Sequence, residues 1–140
     1  MTSSPMPVDL IQKALRKVAM WSGFHQGPNG AYACIRQDAE EDCGAACIAT
    51  VSAQHGKTLS ISRVRNVVGT TASGTTLLGL KRGAETLGFH ARAAKADGSL
   101  LEQLHDLPLP VICHWNGNHW VVVHGKVGSQ LIVADPGVGI

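Results

Sequence analysis

Gln37-Asp38-Ala39-Glu40-Glu41-Asp42-Cys43-Gly44-Ala45-Ala46-Cys47 joins an acidic approach to a run of small residues. Continued by Ile48, Ala49, Val51 and Ser52, that run predicts a helix of about three turns, beginning at or near Cys43 and ended by Gly56. A thiol at a helix N-terminus sits in the positive end of the helix dipole, which favours thiolate over thiol. Gln37, upstream of the thiol, carries an amide that can donate a hydrogen bond into the same space. The segment therefore predicts an activated sulfur nucleophile at a helix start. Asp42 is too close to Cys43 to help, because its negative charge opposes thiolate formation. It is expected to serve the turn or the cap.

A cysteine nucleophile needs a base within hydrogen-bond reach and a third group to orient that base. Among seven histidines, His119 is the best placed. It follows the turn Asn116-Gly117-Asn118 and opens the strand His119-Trp120-Val121-Val122-Val123. His114 and His124, at neighbouring strand edges, are expected to be ordinary half-exposed histidines; His25, His55, His90 and His105 are given no role. Asp135 ends the last strand, and antiparallel pairing brings that end near the start of the His119 strand. Alone, Asp135 would simply open an Asp-Pro-Gly turn; beside His119 and Cys43 it is the candidate orienting residue. The Gln37 amide and the Cys43 backbone N–H form a candidate oxyanion hole.

The remaining cysteines, Cys34, Cys47 and Cys113, are expected to be structural, Cys47 packing one turn after Cys43. Spacings of nine, four and sixty-six residues between the four cysteines lack the paired pattern of a zinc site, so neither a metal nor a cofactor is expected. Met1–Ser22 has no uninterrupted apolar core of the kind a secretory signal needs. A reducing, cytosolic setting follows, and with it free thiols. A net charge of +2 without a basic block, and an aromatic content of 4%, argue against nucleic-acid binding. No apolar run is long enough to span a bilayer.

Further out, residues 1–7 are expected to be disordered. Ile11, Ala14, Leu15, Val18 and Trp21 fall at helical spacing, predicting an amphipathic helix over Val8–Trp21 with Lys13, Arg16 and Lys17 opposite. Gly23–Gly30 reads as a linker. Residues 1–30 are thus an N-terminal extension and 31–140 the domain proper. Within the domain, helices are predicted over Ile61–Val68, capped by Ser60 or Ser62, and over Thr76–Leu87. A short helix is predicted over Ser99–Leu104, where Ser99 and Glu102 have capping-box spacing. Strands are expected at Phe89–Ala94, Pro110–Trp115, His119–Val123 and, after a turn over Gly125–Ser129, Gln130–Ala134. A helical first half followed by a small antiparallel sheet is an α+β arrangement.

The order Cys, His, Asp, with the cysteine on a helix and the other two on a sheet, is the papain-like order. More narrowly, Gln37-Asp38-x-x-x-Asp42-Cys43-Gly44-x-Ala46-Cys47 resembles the nucleophile motif of the double-glycine leader peptidases, the N-terminal domains of peptidase-containing ABC transporters that mature and export bacteriocins. Leu107–Val122, with Asn118-His119-Trp120, resembles the family's histidine segment, and Ala134-Asp135-Pro136-Gly137-x-Gly139 its aspartate segment. The resemblance runs from about Ile35 to Gly139. It implies a papain-like fold with Cys43 as nucleophile, His119 as general base and acid, Asp135 as orienting residue and Gln37 as oxyanion donor. The implied substrate is a leader-bearing precursor peptide, cut after Gly-Gly or Gly-Ala, its amphipathic leader helix held in a shallow apolar groove beside the site. The implied partners are the transmembrane and nucleotide-binding domains of a transporter, which would place the domain in the cytoplasm at the inner face of the membrane.

Two departures accompany the resemblance. The family domain usually continues past the aspartate with a further strand, and residues before about Gly30 have no counterpart in the family core. No Walker A pattern occurs, so export and ATP hydrolysis are not expected of this chain by itself. The alternative function is a non-catalytic peptide-binding module of an export system, and a third is another papain-like activity such as a transglutaminase or amidase. The joint presence of Cys43, His119 and Asp135 argues for the peptidase.

Overall fold

The computed structural model describes residues 8–10, 32–94, 104–107, 109–115 and 117–140. The helix expected from the cysteine segment runs from Cys43 to Gln54 (α1), and every residue from Gly44 to Ser52 is buried. A helix with no polar stripe has to lie between other layers, and the alanines of α1 let neighbours approach it from several sides. Gly56, at φ +82°, turns the chain after its end. Two capped helices follow. The Ser60 hydroxyl accepts from Arg63 N at 3.2 Å and opens α2 (Ile61–Val68). The Thr76 hydroxyl accepts from Gly79 N at 3.0 Å and opens α3 (Leu77–Thr86). α2 turns Ile61, Val64 and Val68 inward. Where α3 crosses it, a Cβ on Gly83 would collide with Val68, so glycine is what permits the close approach.

Five antiparallel strands form one sheet in the order β2-β1-β3-β4-β5, with β1 at Val8–Leu10, β2 at Arg92–Ala94, β3 at Val111–Trp115, β4 at His119–Val127 and β5 at Gln130–Ala134. Ile112 pairs with Val122, and Val122 with Ala134. These three and Trp120 join the core around α1. The alternate residues Val111, Cys113, Val121 and Val123 pack on the other face beneath Leu104, Leu107 and Leu109. Both faces are covered, which is why β4 reads as an unbroken apolar run and not as an alternating one. Each of these buried Val and Ile side chains contributes ~1.5–3 kcal/mol relative to exposure.

The helices and antiparallel sheet make the expected α+β arrangement, with four differences in its elements. Val8–Leu10, expected to begin a helix, is a strand between β2 and β3. Helical spacing is a local signal; the two strands that pair with Val8–Leu10 are supplied by residues more than eighty positions away, and backbone pairing overrides periodicity here. The rest of that expected helix, the 1–7 tail and the Gly23–Gly30 linker lie outside the described residues, as does the Ser99–Glu102 capping box; Leu104–Asp106 is a 3-10 turn. β2 begins at Arg92 and not at Phe89. β4 runs on to Val127 through a bulge between Val123 and Gly125. The added residue of a bulge lets the strand continue where a turn was expected.

Candidate active site

Cys43 is the first residue of α1 and is 5% exposed. The 3-10 turn Glu40–Asp42 delivers it. Asp42 is fully buried. Its Oδ2 accepts from Ala39 N at 3.2 Å, and its Oδ1 faces Arg65 Nε at 3.4 Å. Asp42 is therefore a turn residue, as expected. Behind the thiol, α1 presses against the loop 70–75. A Cβ on Gly44 would stand 3.0 Å from Thr75 Cβ and 3.3 Å from Leu80 Cδ2; the small residue after Cys43 is what lets that loop approach.

On the other side stands the start of β4. His119 Nε2 and Asp135 Oδ1 are 2.7 Å apart, both half-buried. A carboxylate only accepts hydrogen bonds, so it draws the imidazole proton onto Nε2 and leaves Nδ1 with its lone pair for a thiol proton. The Asp135 turn is itself tied down. Oδ1 also accepts from Gly137 N at 2.9 Å. Arg36 Nε donates to Pro136 O at 3.2 Å and its Nη2 to Gly137 O at 2.8 Å. Gln37 N donates to Pro136 O at 2.9 Å. The segment before the nucleophile thus clamps the turn that carries the acid.

Trp120, beside His119, bridges the two sides. Its indole Nε1 donates to Thr75 O at 3.0 Å, and a Thr70–Thr75 hydroxyl contact of 2.7 Å closes the loop. His114 tilts against the Trp120 ring, with centroids 4.3 Å apart. Between loop and strand opens a cleft of about 330 Å³, lined by Cys43, Gly74, Thr75, His114, Asn118 and Trp120 among others.

The structure brings His119 and Asp135 into direct contact, sets Cys43 in the wall of the cleft next to Trp120, and places Gln37 against the Asp135 turn. Gln37 was expected to point its amide into the cleft. Its Nε2 instead donates to Ala39 O at 3.0 Å and, over a long 3.4 Å, to Glu40 O. Its Oε1 is buried without a partner. Cys47 is buried, and burial pushes its thiol well above the usual range, with Cys43 adding to the rise; it packs, as expected. Cys113 is buried in the second cluster. Cys34 is half-buried, its thiol donates to Asp135 O at 3.8 Å, and burial raises it too. His124 is corrected: it is 1% exposed, not half-exposed, because β4 is covered on both faces along this stretch. Its Nε2 contacts Ala33 O at 2.7 Å. Arg36, Arg65, Thr75 and Trp120 carried no sequence signal of their own, because each acts through backbone groups or charges that only folding brings to it.

Residues 31–140 match the peptidase C39 family. This chain belongs to the peptidase C39 family. The lactococcin-G-processing and transport ATP-binding protein LagD of Lactococcus lactis is 41% identical over 109 residues, covering 75% of this chain and 15% of LagD. The chain therefore spans a small part of the curated relatives it matches. Among solved structures, the peptidase domain of Streptococcus ComA, a bi-functional ABC transporter involved in quorum sensing, aligns with a TM-score of 0.69 at 36% identity, covering 76% of this chain and 80% of that one. A double glycine motif protease from an AMS/PCAT transporter, in complex with its leader peptide, aligns with a TM-score of 0.68 at 31% identity, covering 76% of this chain and 74% of that one. C39 proteins are cysteine peptidases, and the two solved domains share the α+β, papain-like fold of this chain. Among the described residues no helix is long and apolar enough to cross a membrane.

Proposed function

We propose that this chain is the leader-cleaving peptidase domain of a peptide exporter, a cysteine endopeptidase that cuts after Gly-Gly or Gly-Ala. The observation that carries the reading is the His119–Asp135 contact of 2.7 Å, with His119 standing in the chain between Asn118 and Trp120, which line the cleft together with Cys43. His119 Nδ1 takes the Cys43 proton, and the thiolate attacks the carbonyl carbon of the second small residue. The Cys43 backbone N–H and the Gln37 amide hold the resulting oxyanion. To reach it, Gln37 Nε2 exchanges its bonds to Ala39 O at 3.0 Å and Glu40 O at 3.4 Å for the oxyanion, a charged acceptor that outcompetes a carbonyl. The imidazolium then protonates the leaving amine, and water attacks the thioester to release the leader. The carboxylate of Asp135 stabilises the imidazolium throughout.

Gly74 and Thr75 line the cleft together with Cys43; the small side chains there suit two residues without bulky side chains passing close to sulfur. LagD is named for processing and ATP-binding transport, ComA as an ABC transporter, and the PCAT protease is solved with its leader peptide, which supports a leader peptide as substrate and the other domains of a transporter as partners; the amphipathic leader and the cytoplasmic face of the membrane follow from the sequence resemblance alone. The family match begins at residue 31, but Val8–Leu10 pairs with Arg92–Ala94 and with Ile112 and Cys113, so we take the working domain to include that strand.

The test is an incubation with a synthetic amphipathic leader ending in Gly-Gly, followed by mass spectrometry. Cleavage after the second glycine is expected, and none with Cys43→Ala. Binding without cleavage would replace the enzyme with a peptide-holding module. Transfer of the acyl group to an added amine in place of water would indicate a transglutaminase-type reaction.

A further inference from the structure

Asp42 presents a physical problem that the proposed mechanism does not use. It is fully buried and directly precedes the nucleophile. A buried carboxylate is costly unless paired. Next to Cys43 it also competes with the thiolate for the same positive helix end. Its hydrogen-bond partner is Ala39 N, through Oδ2; Oδ1 is buried with no hydrogen bond and meets Arg65 Nε at 3.4 Å.

Arg65 is well held for that task. It lies in the last turn of α2, its carbonyl accepts from Thr70 N at 3.0 Å, and the left-handed Gly69 closes the helix behind it. Its guanidinium spans two acids of the turn, with Nη2 3.5 Å from Glu41 Oε1. α2 packs directly on α1, so the cation reaches Asp42 from the helix that supports the nucleophile's own helix.

We propose that Arg65 is a positioning residue for the peptidase reaction: through its ion pair with Asp42 it fixes the turn that delivers Cys43 and cancels the carboxylate charge beside the thiol. The inference rests on Cys43 being the nucleophile. The other charged or titratable groups around the thiol are Glu40 and Glu41 from the turn, His114 from β3, His119 from β4 with Asp135 beyond β5, and Cys47 one turn along α1. Arg65 is the cation that pairs with Asp42, the acid directly preceding Cys43 in the chain. Charges at this range, partly screened, move a titration by about one pH unit.

The experiment measures, against pH, kcat/KM on a Gly-Gly leader peptide and the rate of iodoacetamide labelling at Cys43, quantified on the Cys43-containing fragment. R65Q is expected to move the acid limb of both profiles up by about one pH unit, losing about tenfold in rate on the acid side. D42N is expected to move the limb the opposite way, R65K to recover most of the wild-type profile, and the double variant D42N/R65Q to return near it. Opposite shifts from the two partners are a signature that loss of packing does not produce. Unshifted limbs in R65Q and D42N, or an equal loss of rate at every pH, would overturn the proposal. If circular dichroism shows that R65Q does not fold, R65M, which keeps the aliphatic stem, takes its place: an upward shift supports the pair, and an unmoved limb defeats it. C43A separates the two layers, since cleavage by C43A would end the nucleophile assignment itself and leave Arg65 with nothing to position.

Discussion

His119 and His124 sit five residues apart on the same strand and have opposite environments. His119 lies at the strand's start, half-buried, with a carboxylate oxygen 2.7 Å from Nε2. His124 is 1% exposed, bonded through Nε2 to the carbonyl of Ala33 and stacked obliquely against Tyr32 at 5.1 Å. Its Nδ1 is buried without a partner. Burial pushes its pKa down, and the backbone contact only partly offsets this. His55, at the far end of α1, is likewise lowered, first by burial and then by His124. A carboxylate partner and an open face equip an imidazole to move protons; a carbonyl partner and a sealed core fix one in its neutral form. The two ends of β4 thus separate chemistry from stability.

The comparison breaks most visibly at His119. His119→Gln should lower kcat/KM on a Gly-Gly leader by about a thousandfold, the scale of lost general acid–base catalysis, while the melting temperature stays close to wild type. If activity persists, the imidazole is not the base. Next comes its partner. Asp135→Asn keeps the shape of the turn but removes the charge and favours the wrong tautomer; a loss of about a hundredfold in kcat is expected, read in single-turnover assays. A smaller effect follows from Arg36→Ala, which releases Pro136 O and Gly137 O. Since sub-ångström displacement of catalytic groups is costly, kcat should fall about tenfold with little change in KM. An unchanged kcat would show that Gln37 N and the turn's own hydrogen bonds hold it without Arg36.

The smallest effect on activity belongs to His124. His124→Phe keeps the ring but leaves Ala33 O unpaired, so denaturant melts should show a loss of about 1–3 kcal/mol with kcat nearly intact. Its pH signature follows from linkage. The folded-state pKa of His124 lies below its ordinary 6.5, so below that pH the unfolded chain binds more protons than the folded one, and stability rises with pH. Wild-type stability should therefore fall on acidification through about pH 6.5 and below. His124→Phe should flatten part of that fall, with His55 supplying the remainder. An identical slope in the variant would show that His124 binds protons in the fold as it does in the unfolded chain.

Much of this was readable from local pattern. The α1 start at Cys43, the Ser60 cap, the helix from about Thr76, the Gly56 stop and the strands flanking Asn116–Asn118 are all set by neighbouring residues, and propensity and capping act over that range. The order of Cys43, His119 and Asp135 was readable for the same reason, since antiparallel neighbours place one strand's end beside the next one's start. The strand at Val8–Leu10 was not readable, because its pairing partners lie at Arg92–Ala94 and Val111–Trp115 and its own residues carry helical spacing. Nor was the burial of His124, which depends on the layers that cover both faces of β4.

The amino-acid sequence by itself determined which helix bears the thiol, which strand ends bear the imidazole and the carboxylate, and the family to which those motifs point. The tertiary structure decided the rest: which nitrogen of His119 meets Asp135, that Arg36 clamps the Asp135 turn, that Trp120 reaches Thr75, and that Arg65 faces Asp42. The physical reason is range. Capping, turn chemistry and periodicity act within a few residues and are written in order along the chain. Ion pairs and side-chain bonds to distant carbonyls exist only once α1 has been buried between the helices and the sheet.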